Sequence, residues 1–218
     1  MQSLLREIRE EFNKFYPDIS KKLTHTQMLK LATFVDDLIK WNQKTNLIGK
    51  NTPSEIFNEL IIDSLYLKEA ILTIKKRFQK NIFKFLDVGC GAGIPGIPFR
   101  IVYENGEYLM VERRKKRAIF VSYMTKKLKL KNTKVLMKNI EQVCGIFEIV
   151  LSRAFCPWRD FLTLSKKYLN PKGLCVVFSN SQFKNEKLND FLLLDEFSYK
   201  IKNEKFRYLW LFEKKAPS

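Results

Sequence analysis

Apolar residues recur at helical spacing along the first third of the chain. Leu4, Leu5, Ile8, Phe12 and Phe15 form one set, and Leu29, Leu31, Phe34, Val35, Leu38 and Trp41 form a second. Each set predicts an amphipathic helix, and Thr24 followed by Gln27 predicts a capping box opening the second. After the turn-rich stretch Gly49 to Pro53, a third helix is expected from Ser54 or Glu55 to Leu72, with Ile56, Leu60, Ile61, Leu65 and Leu67 on its apolar side. The lysine-rich segment Thr73 to Asn81 then leads towards a strand.

From Ile82 the pattern changes to short apolar runs alternating with helical periods, which predicts a parallel sheet covered on both faces. Strands are expected near Phe83–Val88, Tyr108–Val111, Lys134–Met137, Glu148–Leu151 and Leu174–Phe178. Helices are expected near Ile94–Val102, Lys115–Lys129 and Trp158–Tyr168. A closing strand pair, Phe197–Ile201 and Arg207–Phe212, turns around Asn203 to Lys205. The fold class is therefore α/β, with a doubly wound, mostly parallel sheet. A helical extension over residues 1–80 is expected to pack on a sheet domain over 81–218.

The candidate chemistry begins at Phe85 to Pro98, FLDVGCGAGIPGIP, where glycines at 89, 91 and 93 follow a strand and precede a helix start. Glycines allow a ligand to approach the backbone, and a helix N-terminus behind them would offer free N–H groups. The register Gly91-x-Gly93-x-x-Gly96 also satisfies the dinucleotide pattern, so a nicotinamide-dependent oxidoreductase stays open on the glycines alone. Asp87 favours the other cofactor: its carboxylate would repel a pyrophosphate and attract the amine and sulfonium of S-adenosylmethionine. Glu112, at the end of the second strand, stands where α/β nucleotide-binding proteins hold an acid for ribose hydroxyls, or it merely caps the next helix. Ile140 and Glu141 follow the third strand, where an adenine would lie. Ser152 to Phe155 ends the fourth. Arg153 there could hold a phosphate or a carboxylate and Phe155 could stack on a base; the plain alternative is an Arg paired with an acid and a core Phe.

Composition narrows the partner. A net charge of +17 on 218 residues implies attraction to polyanions, nucleic acid first among them. From Arg113 to Lys131 there are nine basic side chains and no acidic one, including Arg113, Arg114, Lys115, Lys116 and Arg117, the expected RNA contacts. Cys90, Cys144, Cys156 and Cys175 show no C-x-x-C spacing, and the start lacks a secretory signal. The expectation is a reducing cytoplasm, no disulfides, no metal site and no membrane anchor. Cys156-Pro157 reverses the Pro-Cys order of cytosine C5 methyltransferases, so a structural Cys is expected. Asn170 to Gly173 reads as a turn.

His25 is the sole histidine and lies far from the glycine loop, so no acid/base pair is signalled. Methyl transfer to a ring nitrogen with a free lone pair, such as guanine N7, needs none. Alignment of the reacting atoms supplies most of the rate.

Taken together, KWNQKTNL at Lys40–Leu47, IIDSL at Ile61–Leu65, DVGCGAGIPGIP at Asp87–Pro98, KKR at Lys115–Arg117 and LSRAF at Leu151–Phe155 resemble the bacterial small-subunit (16S) rRNA guanine-N7 methyltransferases, the glucose-inhibited division protein B family. That resemblance implies a methyltransferase-type sheet with an N-terminal helical extension, bound S-adenosylmethionine, and methylation of one guanine in small-subunit rRNA; small-subunit rRNA or the ribosomal subunit is the expected partner and a monomer the expected state. It also implies cofactor contacts at Gly89, Ile94, Ile140, Glu141 and Arg153, the ribose acid at Glu112, and RNA contacts at Lys116 and Arg117. Glu59-Leu60 departs from the family's Arg-His and Ser179-Asn180 from its Lys-Gly. These departures leave open an enzyme that has decayed into an RNA-binding protein.

Overall fold

Helical spacing in the front of the chain becomes helix because each apolar stripe finds a common core. The fold, taken from a computed structural model, is described for residues 2–50, 52–78, 83–184, 186–202 and 205–216, and for all side chains within them except those of 76–78. α1 (Gln2–Phe15) buries Ile8 and Phe12, four residues apart on one face. After the short α2 (Pro17–Ser20), α3 (His25–Thr45) opens on the capping box that Thr24 and Gln27 predicted, with both reciprocal hydrogen bonds formed. A second capping box, Thr52 with Glu55, starts α4 (Pro53–Ile56), and Pro53 at its first position needs no donor. The helix continues through a π-helical turn, Phe57–Ile61, into α5 (Ile62–Phe78), past the Leu72 expected from sequence.

The sheet half runs as β1 (Lys84–Val88), α6 (Gly96–Val102), β2 (Glu107–Val111), α7 (Lys115–Lys127), β3 (Thr133–Leu136), a 3-10 turn Ile140–Gln142, β4 (Phe147–Ser152), α8 (Trp158–Ser165), β5 (Leu169–Ser179), β6 (Phe191–Lys200) and β7 (Phe206–Lys214). Among the described residues the strands form one sheet in the order β3-β2-β1-β4-β5-β7-β6. β1 to β5 pair in parallel, and β7 is antiparallel to both β5 and β6. The expected doubly wound, mostly parallel sheet is present. Its order reverses between β1 and β4, and ligands of such sheets bind beyond the carboxyl ends of the strands at that point.

The sheet's two faces are covered unequally. Phe85, Tyr108, Met110, Ile149 and Val176 pack under α3, α5, α6 and α7 in a core that begins at Ile8, whereas Leu86, Val88, Val111, Val150 and Cys175 pack with Phe161 and Leu162 of α8. Strand alternation sets this division. Arg100 of α6, 1% exposed, sits in the first core with no ion pair to a carboxylate among the described residues. It donates instead to the carbonyls of Glu104, Asn105, Gly106 and Lys131, tying the entries of β2 and β3 together.

Several boundaries differ from the sequence expectation. The helix expected from Ile94 starts at Gly96, because the N–H groups of Gly93 and Ile94 turn back to the Cys90 carbonyl. Asn170 to Gly173 is not a turn between elements. It is an irregularity carried inside β5, with Lys172 at φ 63° and a register shift opposite Phe147 to Ile149. β6 begins at Phe191, six residues before the expected start, so the FLLL run belongs to an edge strand. The boundary at residue 80 and most of the turn around Asn203 lie outside the described residues, as does the end of the Thr73 to Asn81 segment.

Candidate cofactor site

At the carboxyl end of β1 the chain takes φ of 64°, 57° and 79° at Gly89, Gly91 and Gly93. Side chains rarely adopt such φ, and at two of these positions there is no room either: a Cβ on Gly89 would overlap the Phe155 ring, and one on Gly93 would overlap Ile97. At Gly91 nothing approaches nearer than Arg117 Nη1 at 3.8 Å, so glycine is required there by backbone conformation and not by crowding. The loop engages its own donors. Cys90 N–H bonds to Val111 O, Gly93 and Ile94 to Cys90 O, and Ile97 to Gly93 O. The N–H groups of Cys90, Gly93, Ile94 and Ile97 are therefore engaged within the protein and not offered to a ligand.

Glu112 holds the loop. Its Oε2 accepts the Gly91 N–H at 3.0 Å and its Oε1 accepts the Arg114 N–H at 2.7 Å, which fixes the β1 and β2 loops against each other. Among the described residues each oxygen accepts one hydrogen bond and keeps a lone pair. Above this carboxylate opens a cleft of about 400 Å³, lined by Gly89, Val111, Glu112, Arg113, Arg114, Arg117, Lys138, Asn139, Ile140, Glu141, Ala154 and Phe155. It thus brings together Gly89, Glu112, Ile140, Glu141 and Phe155 with three of the basic residues assigned to RNA. Lys138, Asn139 and Val111 were missed by sequence reasoning; they adjoin singled-out residues, and a wider reading of the loop after β3 would have found the first two.

Asp87 requires a correction. It was expected to face the cofactor's positive charge, but it is 0% exposed and does not line the cleft. Strand alternation explains this: Asp87 shares the face of Phe85, under α6, while Val88 and Val111 face the other side. Its Oδ2 accepts the Tyr108 hydroxyl at 3.1 Å. Burial, opposed by hydrogen bonds from Tyr108 and the Gly96 N–H and aided by the Glu112 charge, raises its pKa to about 7. It is a clamp on the loop's exit into α6. Gly91, Gly93 and Ile94 likewise support the loop without lining the cleft.

Arg153 is also absent from the lining. Its Nε donates to Asp63 Oδ2 at 3.0 Å and its Nη2 to the Glu59 carbonyl at 3.2 Å, which is the acid-paired arrangement foreseen as the plain alternative. Asp63 is buried and also accepts the Tyr199 hydroxyl at 2.8 Å. Phe155 is not in the core; it is 42% exposed and leans on Gly89 after Ala154 turns at φ 57°. Of the two departures, Glu59 pairs with Lys50 at 2.9 Å and Leu60 is buried, while the Ser179 hydroxyl bonds within its own turn. Lys115 and Lys116 are exposed on α7, outside the cleft and without ion pairs among the described residues. His25 contacts Arg9, 2.8 Å away. Among the described residues no acidic, cysteine or histidine cluster could hold a metal ion, and no helix is long and apolar enough to cross a membrane.

The model of the family described as GidB, rRNA small subunit methyltransferase G, matches residues 27–202. The chain belongs to that family. The relative named ribosomal RNA small subunit methyltransferase G in Nitratidesulfovibrio vulgaris (strain DP4) is 33% identical over 174 residues, 78% of either chain. The protein of that name in Polynucleobacter asymbioticus is 33% identical over 185 residues, 80% of this chain and 81% of its own. Among solved structures, Escherichia coli yhhF, described as a methyltransferase, superposes with a TM-score of 0.51 at 16% identity, covering 70% of this chain and 86% of its own. TrmN from Thermus thermophilus gives 0.51 at 12% identity, covering 77% and 55%. Those structures share the fold. The protein is a methyltransferase, and family and fold together imply S-adenosylmethionine as methyl donor.

The geometry of the site predicts two outcomes. Because the folded pKa of Asp87, about 7, lies above its ordinary 3.8, the stability it contributes is complete below that ordinary value and is lost as pH rises to about 7. The loss is on the order of 4 kcal/mol, and Asp87→Asn is expected to remove it; urea unfolding of both proteins across this range, with unchanged pH dependence in the variant, would discount burial of the ionised Asp87 as its cause. Arg153→Met leaves Asp63 buried without a cation, which should destabilise the ligand-free protein by roughly 3 kcal/mol. A residue serving the cofactor alone would leave that unfolding midpoint where it is.

Proposed function

We propose that the chain transfers a methyl group from S-adenosylmethionine to N7 of a guanine in small-subunit (16S) rRNA, as a cytoplasmic monomer acting on that RNA or on the ribosomal subunit. The observation that carries this reading is the convergence of the glycine loop, Glu112 and Ile140 on one cleft whose rim is cationic. The residues fit the cofactor. Gly89 lines the cleft with the Phe155 ring packed where a Cβ would lie, the lone pairs left on Glu112 can accept ribose hydroxyls, and Ile140, 6% exposed, offers an apolar face for adenine with Glu141 beside it. S-adenosylmethionine, when bound, supplies an electrophilic methyl on a sulfonium.

The chain's own residues then have to bind and align, and no side chain needs to remove a proton from an N7 lone pair. Arg153 acts as a positioning residue: its ion pair with Asp63 fixes the turn that sets Ala154 and Phe155 at the cleft. Among the described residues Nε and Nη2 make the hydrogen bonds of this guanidinium, which leaves Nη1 available to an anionic group. In this reading residues 1–80 serve as the extension and 81–218 as the catalytic unit. Arg113, Arg114 and Arg117 would serve both RNA and cofactor from the rim, and Lys115 and Lys116 RNA alone.

Mapping N7-methylguanosine in small-subunit rRNA from cells lacking the gene tests the reading. One position is expected to lose its methyl group, and purified protein with S-adenosylmethionine to restore it; an unchanged map would refute the assignment. Reversing Lys115 and Lys116 to glutamate should leave cofactor affinity intact and lower RNA affinity. The slope of log affinity against log salt should flatten by roughly 0.7–0.9 for each phosphate that is no longer neutralised. An unchanged slope would remove α7 from the footprint.

A further inference from the structure

Beside the cofactor cleft lies a second pocket of about 210 Å³, and the two share Ala154 and Phe155 as a common wall. Five aromatic side chains, Phe155, Trp158, Phe161, Phe178 and Trp210, line it, together with Ser152, Cys156, Val177, Ser179 and Asn180. No carboxylate, lysine or arginine lines it among the described residues. We propose that this pocket receives the target guanine, and that the Trp210 indole N–H, through a hydrogen bond to the purine O6, selects guanine over adenine. The inference deepens the function proposed above and rests on it.

Three features support it. First, the pocket lies at the carboxyl ends of β4 and β5 and opens from the same wall as the cofactor cleft, so a base entering it brings an edge towards the donor's side. Second, aromatic faces suit a flat base. They also attract the positive charge that moves onto a purine as its N7 takes a methyl group.

Third, the Trp210 Nε1 is buried without a hydrogen-bond partner among the described residues, in a side chain only 5% exposed. Its ring is held edge-on to Trp158 at 5.7 Å and to Phe183 at 5.3 Å between centroids. An unanswered buried donor is destabilising, and an acceptor arriving with substrate relieves it. Guanine carries such an acceptor, O6, next to N7 on its major-groove edge, whereas adenine carries an amino donor there. A donor facing a donor disfavours adenine. The lack of a lining carboxylate agrees with this orientation, because the N1–H and N2 amino groups of guanine would need acceptors if they pointed inward.

The test uses the full chain, S-adenosylmethionine, and small-subunit RNA carrying either guanine or 2-aminopurine at the methylated position; 2-aminopurine keeps N7 and lacks O6. Wild type is expected to lose roughly tenfold or more in kcat/KM on the 2-aminopurine RNA, as a site does when its hydrogen-bonding partner is missing. Trp210→Phe, which keeps an aromatic ring and removes the donor, should lose a similar factor on guanine RNA and show little further loss on 2-aminopurine, with cofactor affinity unchanged. A variant that still discriminates the two RNAs as wild type does would overturn the proposal. Equal rates of wild type on both RNAs would overturn it as well, even if the variant failed to fold. If wild type binds S-adenosylmethionine and methylates no guanine N7, the parent reading fails and this one with it.

Discussion

Glu112 is the pivot of the site. One carboxylate accepts an N–H from Gly91 and another from Arg114, and so locks together the loops after β1 and β2. A backbone that runs through three left-handed glycines has many alternatives open to it in the unfolded chain. A charge-assisted pair of hydrogen bonds selects one of them. The same carboxylate is left facing the cleft with lone pairs to spare, so the group that builds the loop is also one that can hold a ligand's hydroxyls. Beneath it, Asp87 fastens the loop's exit to Tyr108 and Gly96, and its burial makes it a poor counter-charge for anything in the cleft.

The helical front contributes more than a covering layer. Asp63, on the first turn of α5, reaches across to Arg153 after β4 and to Tyr199 on β6, and Tyr199 stacks on Tyr66 at 4.1 Å. The π-helical turn just before Asp63 presents the Glu59 carbonyl to the same guanidinium. An extra residue in a helical turn rotates the succeeding residues around the axis, and such turns recur at functional sites. Through this network the front of the chain reaches the turn on which Ala154 and Phe155 sit, and with it the wall shared by both pockets.

Charge is divided between the cleft and the helix beside it. Arg113, Arg114 and Arg117 line the cleft, while Lys115 and Lys116 stand exposed on α7 outside it. Lys127 turns back to Asp37 at 2.5 Å and leaves that surface to its neighbours. A polyanion lying on α7 would therefore have its nearest segment at the mouth of the cleft. In the proposed reading attraction and catalysis would share a border, which suits a substrate bound by its backbone and modified at one base.

Periodicity and residue chemistry, read along the chain, determined the element order, the mostly parallel sheet, the capping box at Thr24, the glycine loop and the acid at Glu112, because each depends on near neighbours. The motifs around Asp87 and Arg153 were also legible, but their roles were not. Whether Asp87 faces ligand or core turns on strand parity against α6, and whether Arg153 faces a ligand or an acid turns on Asp63, 90 positions earlier. The second pocket has the same origin: Phe155 comes from the turn after β4, Phe178 from β5 and Trp210 from β7, and they carry no common spacing. Only packing brings their faces together, since a linear pattern encodes which residues share a helix or strand face and not which distant faces will meet.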